Sequence, residues 1–211
     1  MKPERRREQI LKAATRVFAR EGYHRASVAE IIAEAGIARG TFYLYFPGKR
    51  EIFSELVDVF GVRIANALQR IKLGKGQPSW EEQLRTNTRK LAALLLEETE
   101  LFTILYHHGM GLDPDYDAKT REFYSRVAST IRGALALGQA MGILRKGVHL
   151  DLAARHMLGS VKEAVYFLTR ATRPAPRGVS LDEFVDEMLS YHLRGLATPP
   201  RTRSPRKSSS P

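Results

Sequence analysis

The stretch from Ser27 to Lys49, SVAEIIAEAGIARGTFYLYFPGK, leaves the chain the fewest choices. Ser27 followed by Glu30 has the spacing of a capping box, in which each side chain satisfies a free backbone N–H at a helix start. Val28, Ile31, Ile32 and Ala35 then fall at i, i+3, i+4 and i+7, one apolar helix face. Gly36 comes next, where a left-handed C-terminal cap favours a residue without Cβ. A second helix starts near Ala38, with Ala38, Phe42 and Phe46 stacked as its buried side. Arg39, Thr41, Tyr43 and Tyr45 point elsewhere. Two short helices joined by a tight turn, the second presenting Arg, Thr and Tyr, suit the DNA major groove.

These residues carry a resemblance. The run AEAGIARGTFYLYFPGKREIF resembles the helix-turn-helix signature of the TetR family of transcriptional regulators. The likeness covers about the first fifth to quarter of the chain. Beyond it the chain agrees only in length and helical character. No strand pattern appears anywhere in the chain, which reads as all-α with about nine helices. A three-helix helix-turn-helix domain would occupy residues 1–48, and a helical ligand-binding and dimerisation domain 49–197. The resemblance implies DNA contacts from Ser27, Arg39, Gly40, Thr41, Tyr43, Tyr45 and Lys49. Thr41 and Tyr43 would meet phosphates or base edges, Tyr45 a phosphate, and Lys49 the backbone from the next helix start. Gly40 would let the phosphate backbone approach. Arg39 can read guanine bidentately and is the candidate for direct base readout. Packing between helices is the alternative role for Tyr43 and Tyr45, since tyrosine is amphipathic. One residue departs from the pattern. Gly48 stands where the family usually has Ser or Asn, so the cap of the following helix is expected to be weaker.

Charge is distributed unevenly. The net charge is +11, with 34 Lys and Arg against 23 Asp and Glu. Residues 1–50 hold 11 basic and 5 acidic side chains, a net +6, and residues 198–211 hold 4 basic and none acidic. The remainder, 51–197, is close to neutral at 19 basic and 18 acidic. A basic excess on the module expected to meet DNA is what phosphate neutralisation requires. The chain has no cysteine, which excludes disulfides, a thiolate zinc site and a cysteine nucleophile. Lys2, Arg5, Arg6 and Arg7 are not followed by an apolar segment, so no signal peptide is expected. Apolar runs such as 91–96 are too short to span a bilayer. A soluble cytoplasmic protein without cofactor, metal or membrane partner is the expectation.

Helix 1 is predicted over 4–21, with Ile10, Ala14, Val17 and Phe18 as its buried stripe. Arg5, Arg6 and Arg7 near its start oppose the helix dipole, which fits a nearby phosphate or a solvated helix end. A long helix is predicted over 49–73, with Phe53, Leu56, Phe60, Ile64, Ala67 and Ile71 along one side. It joins the DNA module to the body and could couple the two. Gly74, Gly76 and Pro78 break it. Ser79 with Glu82 opens a helix through Leu96, continuing helically to His108. Asp113–Pro114 suits a cap and first helical position, for a helix to about Gly142. A helix from Leu150 to Thr172 follows, and Ser180 with Glu183 opens the last, to Leu196. From residue 198 the sequence TPPRTRSPRKSSSP cannot bury enough apolar surface to order itself, so a disordered basic tail is expected.

The resemblance implies a ligand pocket within the body. Candidate lining residues are Phe60 and Ile64; Leu101, Phe102, Leu105 and Tyr106; Phe123, Tyr124 and Val127; and Tyr166 and Phe167. Together they suggest an apolar or aromatic effector, fatty-acyl compounds included. His107, His108, His156 and Glu163 are candidate polar anchors, and a metal site from His108, Asp113, Asp115 and Asp117 is conceivable. The last two helices are the expected homodimer interface. Ala153, Ala154, Gly159, Ser160 and Ala164 allow close helix approach, and Leu181, Phe184, Val185, Met188, Leu189 and His192 form a wide apolar face. A twofold dimer reads a palindrome with half-sites roughly 34 Å apart. The expected function is therefore a ligand-responsive dimeric transcriptional regulator, a repressor released from double-stranded operator DNA by a small effector. A nonspecific architectural DNA binder would explain the basic ends but not a large neutral body. A helical enzyme would have to use Ser160, His156 and Glu163, for which no oxyanion donor or nucleophile elbow is present.

Overall fold

The computed structural model describes residues 3–108, 114–170 and 180–196, with the side chains of 107, 108, 114–116 and 170 left out. Within these the chain forms nine helices: α1 Pro3–Glu21, α2 Val28–Ala35, α3 Arg39–Tyr43, α4 Lys49–Ala67, α5 Trp80–Glu97, α6 Thr99–His108, α7 Pro114–Ala140, α8 Leu150–Arg170 and α9 Leu181–Leu196. The architecture is all-α, as expected. The basic tail, Asp113 and the end of the predicted 150–172 helix lie outside the described residues.

Local chemistry starts the helices where the spacing predicts. All three capping boxes form: Ser27 with Glu30, Ser79 with Glu82 and Ser180 with Glu183. Gly36 ends α2 at φ 61°, in the left-handed region that a side chain would resist. Gly48 begins α4 without a side-chain cap, as its departure from the family pattern implied.

One boundary is corrected. The predicted helix over 49–73 ends at Ala67, and Leu68 is extended. Side-chain amides of α5 capture the following backbone. Asn87 accepts from the Gln69 N–H at 2.9 Å and donates to the Gln69 carbonyl at 2.7 Å. Gln83 does the same for Lys72, both bonds at 2.8 Å. Two amides imitate the edge of a strand, and these bonds replace those that another helical turn would have made. A second break falls at Glu98, which separates α5 from α6 with φ −98° and ψ 38°.

The main apolar core runs from α1 (Ile10, Val17, Phe18) through Phe42 and Phe46 to α4 (Phe53, Phe60, Ile64) and on into α6, α7 and α8. It does not stop at residue 48. The first turns of α4 complete the core of the head, and its later turns belong to the body. A second cluster gathers Trp80, Leu84, Leu135, Leu144, Met157, Val185 and Leu189. The Trp80 indole lies so close to α7 that a Cβ on Gly138 would fall 2.7 Å from the ring, and its Nε1–H donates to the Ala134 carbonyl at 2.9 Å. Arg85 and Arg89 of α5 bind Asp186 and Asp182 of α9, holding the last helix on the body. Among the described residues no helix is long and apolar enough to cross a membrane.

Candidate nucleic-acid interface and body cavity

The α2–turn–α3 unit is anchored from beneath. Phe42 is 0% and Phe46 1% exposed, so α3 can face only one way. That orientation leaves Arg39, Gly40, Tyr43 and Leu44 exposed and Thr41 half-buried. The Arg39 guanidinium lies 5.8 Å from the centroid of the Tyr43 ring, a loose cation–π pair on the outer face. Tyr45 is half-buried and packs against the core. Ser27 is engaged in its cap: its backbone N–H and hydroxyl both donate to the Glu30 carboxylate, and its oxygen accepts from the Glu30 N–H.

Lys49 has a task the sequence did not reveal. Its ammonium donates to the carbonyls of Tyr23, His24 and Ala26 at 2.8, 3.0 and 2.8 Å, above the Tyr23 ring. All three N–H donors are thereby directed into the protein, tying the start of α4 to the α1–α2 turn. Burial lowers the ammonium pKa, and Glu30 partly offsets that. Arg7, one of the arginines read as lying beside a phosphate or at a solvated helix end, is likewise engaged. Its guanidinium binds the Glu55 carboxylate through Nε and Nη2, donates from Nη1 to the Tyr45 carbonyl at 3.2 Å, and lies 4.5 Å from the Phe46 ring centroid.

The body holds a cavity of about 780 Å³ between α4, α5 and α7. Of the eleven candidate lining residues, Ile64, Phe123 and Val127 line it. The remaining eight do not, because the aromatics pack on one another and Leu101 is buried in the core. Phe60 stacks on Phe123 with centroids 6.0 Å apart, and Phe102 and Leu105 are buried in the core. Tyr106 stacks on Tyr166 at 4.5 Å and donates a hydrogen bond from its hydroxyl to Glu163, which pushes its pKa up to about 12. Tyr124 lies beneath the Lys162 ammonium, 3.9 Å away, and its hydroxyl pKa is raised by burial. Phe167 is 54% exposed on the outer side of α8. The void opens instead where α4 and α7 carry small residues, Gly61 and Ala65 opposite Gly133 and Ala134. That pattern of small residues is the signal that could have located it. Leu68, Ile71 and Leu137 add apolar wall, and the exposed Arg70 and Arg126 add positive charge.

A second, polar cleft of about 590 Å³ lies where the head meets the body, lined by Arg7, Arg50, Ser54, Glu55, Asp58 and Lys119. The Lys119 ammonium reaches from α7 to Ser54 Oγ and Asp58 Oδ2 on α4, both at 2.5 Å. Asp58 lines both cavities. Arg7 and Lys119 lie far in sequence from the α4 residues they meet, so no local spacing announced the cleft.

The other candidate groups separate. Ser160 donates to the His156 carbonyl at 2.7 Å and lies 2.9 Å from His192 Nε2, while Glu163 is bound to Tyr106. The side chains of His107, His108 and Asp115 are not described, and among the described residues no group of three or more His, Asp and Glu could hold a metal.

A helix-turn-helix head with an exposed reading helix, joined by one long helix to an all-helical body, defines a class of DNA-binding regulators. Residues 10–56 match the family model of bacterial regulatory proteins, tetR family. This match covers the helix-turn-helix head, and the curated relatives of the chain are transcriptional regulators rather than enzymes. The chain is 28% identical over 158 residues to a fatty acid metabolism regulator protein of Bacillus subtilis (strain 168), covering 74% of this chain and 80% of that one. Its fold matches the fatty acid degradation regulator FadR from Bacillus halodurans with a TM-score of 0.73 at 24% identity, over 96% of this chain and 99% of that one. It also matches the transcriptional regulator FadR from Bacillus subtilis, solved in complex with stearoyl-CoA, with a TM-score of 0.70 at 24% identity, over 90% and 98%.

Proposed function

We propose that the chain is a homodimeric repressor that reads a palindromic operator with α3 and is released from it by a long-chain acyl effector held in the body. The observation that carries the DNA half is the outer face of α3, Arg39, Gly40, Thr41 and Tyr43, standing over the buried Phe42 and Phe46. Arg39 is the candidate for guanine readout. Thr41 and Tyr43 are assigned to phosphates or base edges, and the half-buried Tyr45 to a phosphate. Ser27 caps the helix that braces α3, and Lys49 fixes the position of α4. The head, residues 1–48, and the body, 49–197, are functional units that share one core through α4.

Dimerisation through α8 and α9 is supported by what they leave exposed. Leu152, His156, Gly159, Glu163 and Phe167 follow one exposed face of α8, and Tyr191 on α9 is 75% exposed. Leu152 is 67% exposed, and a Cβ at Gly159 would meet nothing within 4 Å, so a second copy could approach closely. Two such helix pairs make a four-helix bundle.

The cavity supports the effector half. Its volume lies within the range of small-molecule sites, its walls are largely apolar, and Arg70, with Arg126 from its exposed pair with Glu122, brings positive charge to an anionic head group. The relative that regulates fatty acid metabolism and the structural neighbour solved with stearoyl-CoA favour an acyl chain as occupant. Coupling would pass through Asp58. A ligand wedged between α4 and α7 would shift the Lys119–Asp58 and Lys119–Ser54 contacts, then Glu55, then Arg7 and the Tyr45 carbonyl just beyond α3. It acts by favouring the dimer state whose reading helices no longer match the half-site spacing.

The test selects bound duplexes from a random DNA pool, then titrates the complex with stearoyl-CoA and, separately, with free stearate. A palindromic consensus, released by an acyl compound, is the expected result. Equal binding to all sequences would indicate a nonspecific DNA coat, and release by neither compound would remove the acyl assignment.

A further inference from the structure

Leu44 has no packing task in this fold. It is 83% exposed, more than any other large apolar side chain described. It directly follows α3 with helical backbone angles, φ −68° and ψ −22°, so it continues the face of Gly40, four residues earlier. A Cβ on Gly40 would meet nothing within 4 Å, so the surface beside Leu44 is bare backbone and the isobutyl group stands proud of it. The flanking row is the Arg39–Tyr43 pair. One exposed leucine is ordinary on a protein surface. This one stands on the side of α3 opposite its buried phenylalanines, in an N-terminal stretch, residues 1–50, with a net charge of +6 (11 basic and 5 acidic residues).

That setting selects the occupant. A protein partner would need a wider apolar patch, whereas Leu44 stands among Arg39, Thr41 and Tyr43. Major-groove base edges present hydrogen-bonding groups and one apolar group, the C5-methyl of thymine. We infer that Leu44 is a specificity-determining residue whose methyls pack on a thymine C5-methyl in each half-site. This rests on the reading of α3 as the DNA-reading helix. The bare backbone at Gly40 allows the depth of approach, and Leu44 supplies the apolar contact.

The experiment uses the full chain and the duplex recovered from the random pool. Each thymine is replaced in turn by deoxyuridine, which deletes the methyl and leaves the pairing edge intact. The wild-type chain should lose about fourfold in affinity at one thymine of each half-site, the worth of one methyl removed from water. Leu44→Ala, which loses the contact in both half-sites, should bind the parent duplex about sixteenfold more weakly and be indifferent to deoxyuridine at that position. Circular dichroism and urea unfolding unchanged from wild type would confirm that the variant is folded, as expected for an exposed side chain. The inference is overturned if Leu44→Ala keeps the wild-type sensitivity, if no thymine methyl matters to the wild-type chain, or if the variant weakens binding equally on selected and unselected DNA. Failure of the wild-type chain to select any sequence would instead overturn the regulator reading, and this inference with it.

Discussion

Lys49 and Gly40 lie nine positions apart; the first serves the fold, and the second is proposed to serve the approach of DNA. With its three donors on backbone carbonyls, Lys49→Met should lower stability by about 1–3 kcal/mol, because those carbonyls lose a charged partner. The salt dependence of DNA binding should stay as in wild type, since no phosphate contact is removed. Urea unfolding reads the first and binding titrations at several salt concentrations the second; a flatter salt slope would return Lys49 to the DNA contact set. Gly40 shows the reverse. Its surroundings would admit a methyl group without contact, so nothing in the chain itself demands glycine. Gly40→Ala should stabilise the chain by roughly 0.5–1 kcal/mol, as helical alanine does over glycine, while weakening DNA binding several-fold. A variant both more stable and equally tight would show that no backbone approaches there.

At the level of helices, the three capping boxes make stability depend on acid. Hydrogen bonds from the Ser27 side chain, and from the backbone N–H groups of Ser79 and Ser180, hold Glu30, Glu82 and Glu183 below the ordinary carboxylate value. A lowered folded-state pKa means that the unfolded chain binds the proton more readily. The contribution is therefore complete above the ordinary carboxylate value and is lost as pH falls through the lowered ones. Thermal melts from neutral pH to about pH 3 should show this loss, and the triple Glu→Ala variant should lose less over the same range. Equal acid sensitivity in both chains would assign the effect to other carboxylates. The α5–α7 contact makes a sharper test. An alanine methyl at Gly138 would lie 2.7 Å from the Trp80 ring, with Leu144 at 3.3 Å on another side. Gly138→Ala should destabilise by about 1–3 kcal/mol through overpacking. Trp80 is the single tryptophan, so its fluorescence reports the displaced ring directly; an unshifted spectrum and unchanged stability would mean that the two helices part at no cost.

Across the whole molecule, the proposed switch rests on one lysine of α7. Lys119 touches α4 at Ser54 and Asp58, and Asp58 borders the cavity. Lys119→Met should leave DNA affinity without effector near wild type. The loss of affinity caused by saturating stearoyl-CoA should shrink by about fivefold or more, the lower end of ordinary allosteric coupling. Full release with the variant would mean that coupling takes another route, through apolar packing between α4 and α7.

What could be read from residue order was whatever depends on near neighbours. Ser27–Glu30, Ser79–Glu82 and Ser180–Glu183 are each three positions apart, so the starts of three helices follow from spacing alone. The same holds for the left-handed turn at Gly36 and for Phe42 and Phe46 beneath α3, which orient the reading face before any tertiary contact is known. What only the folded chain decided lies between residues distant in sequence. Gln83 and Asn87 end α4 early by capturing backbone 11 and 18 positions away. Lys49 turns back to carbonyls 23 to 26 positions earlier, and Arg7 meets Glu55 across 48. The cavity is of the same kind. Aromatic residues at helical spacing suggested its lining, but aromatics attract one another and fill space, so the void formed where two helices carry glycine and alanine toward each other. Spacing describes one helix at a time, and which faces meet is a property of several helices packed together.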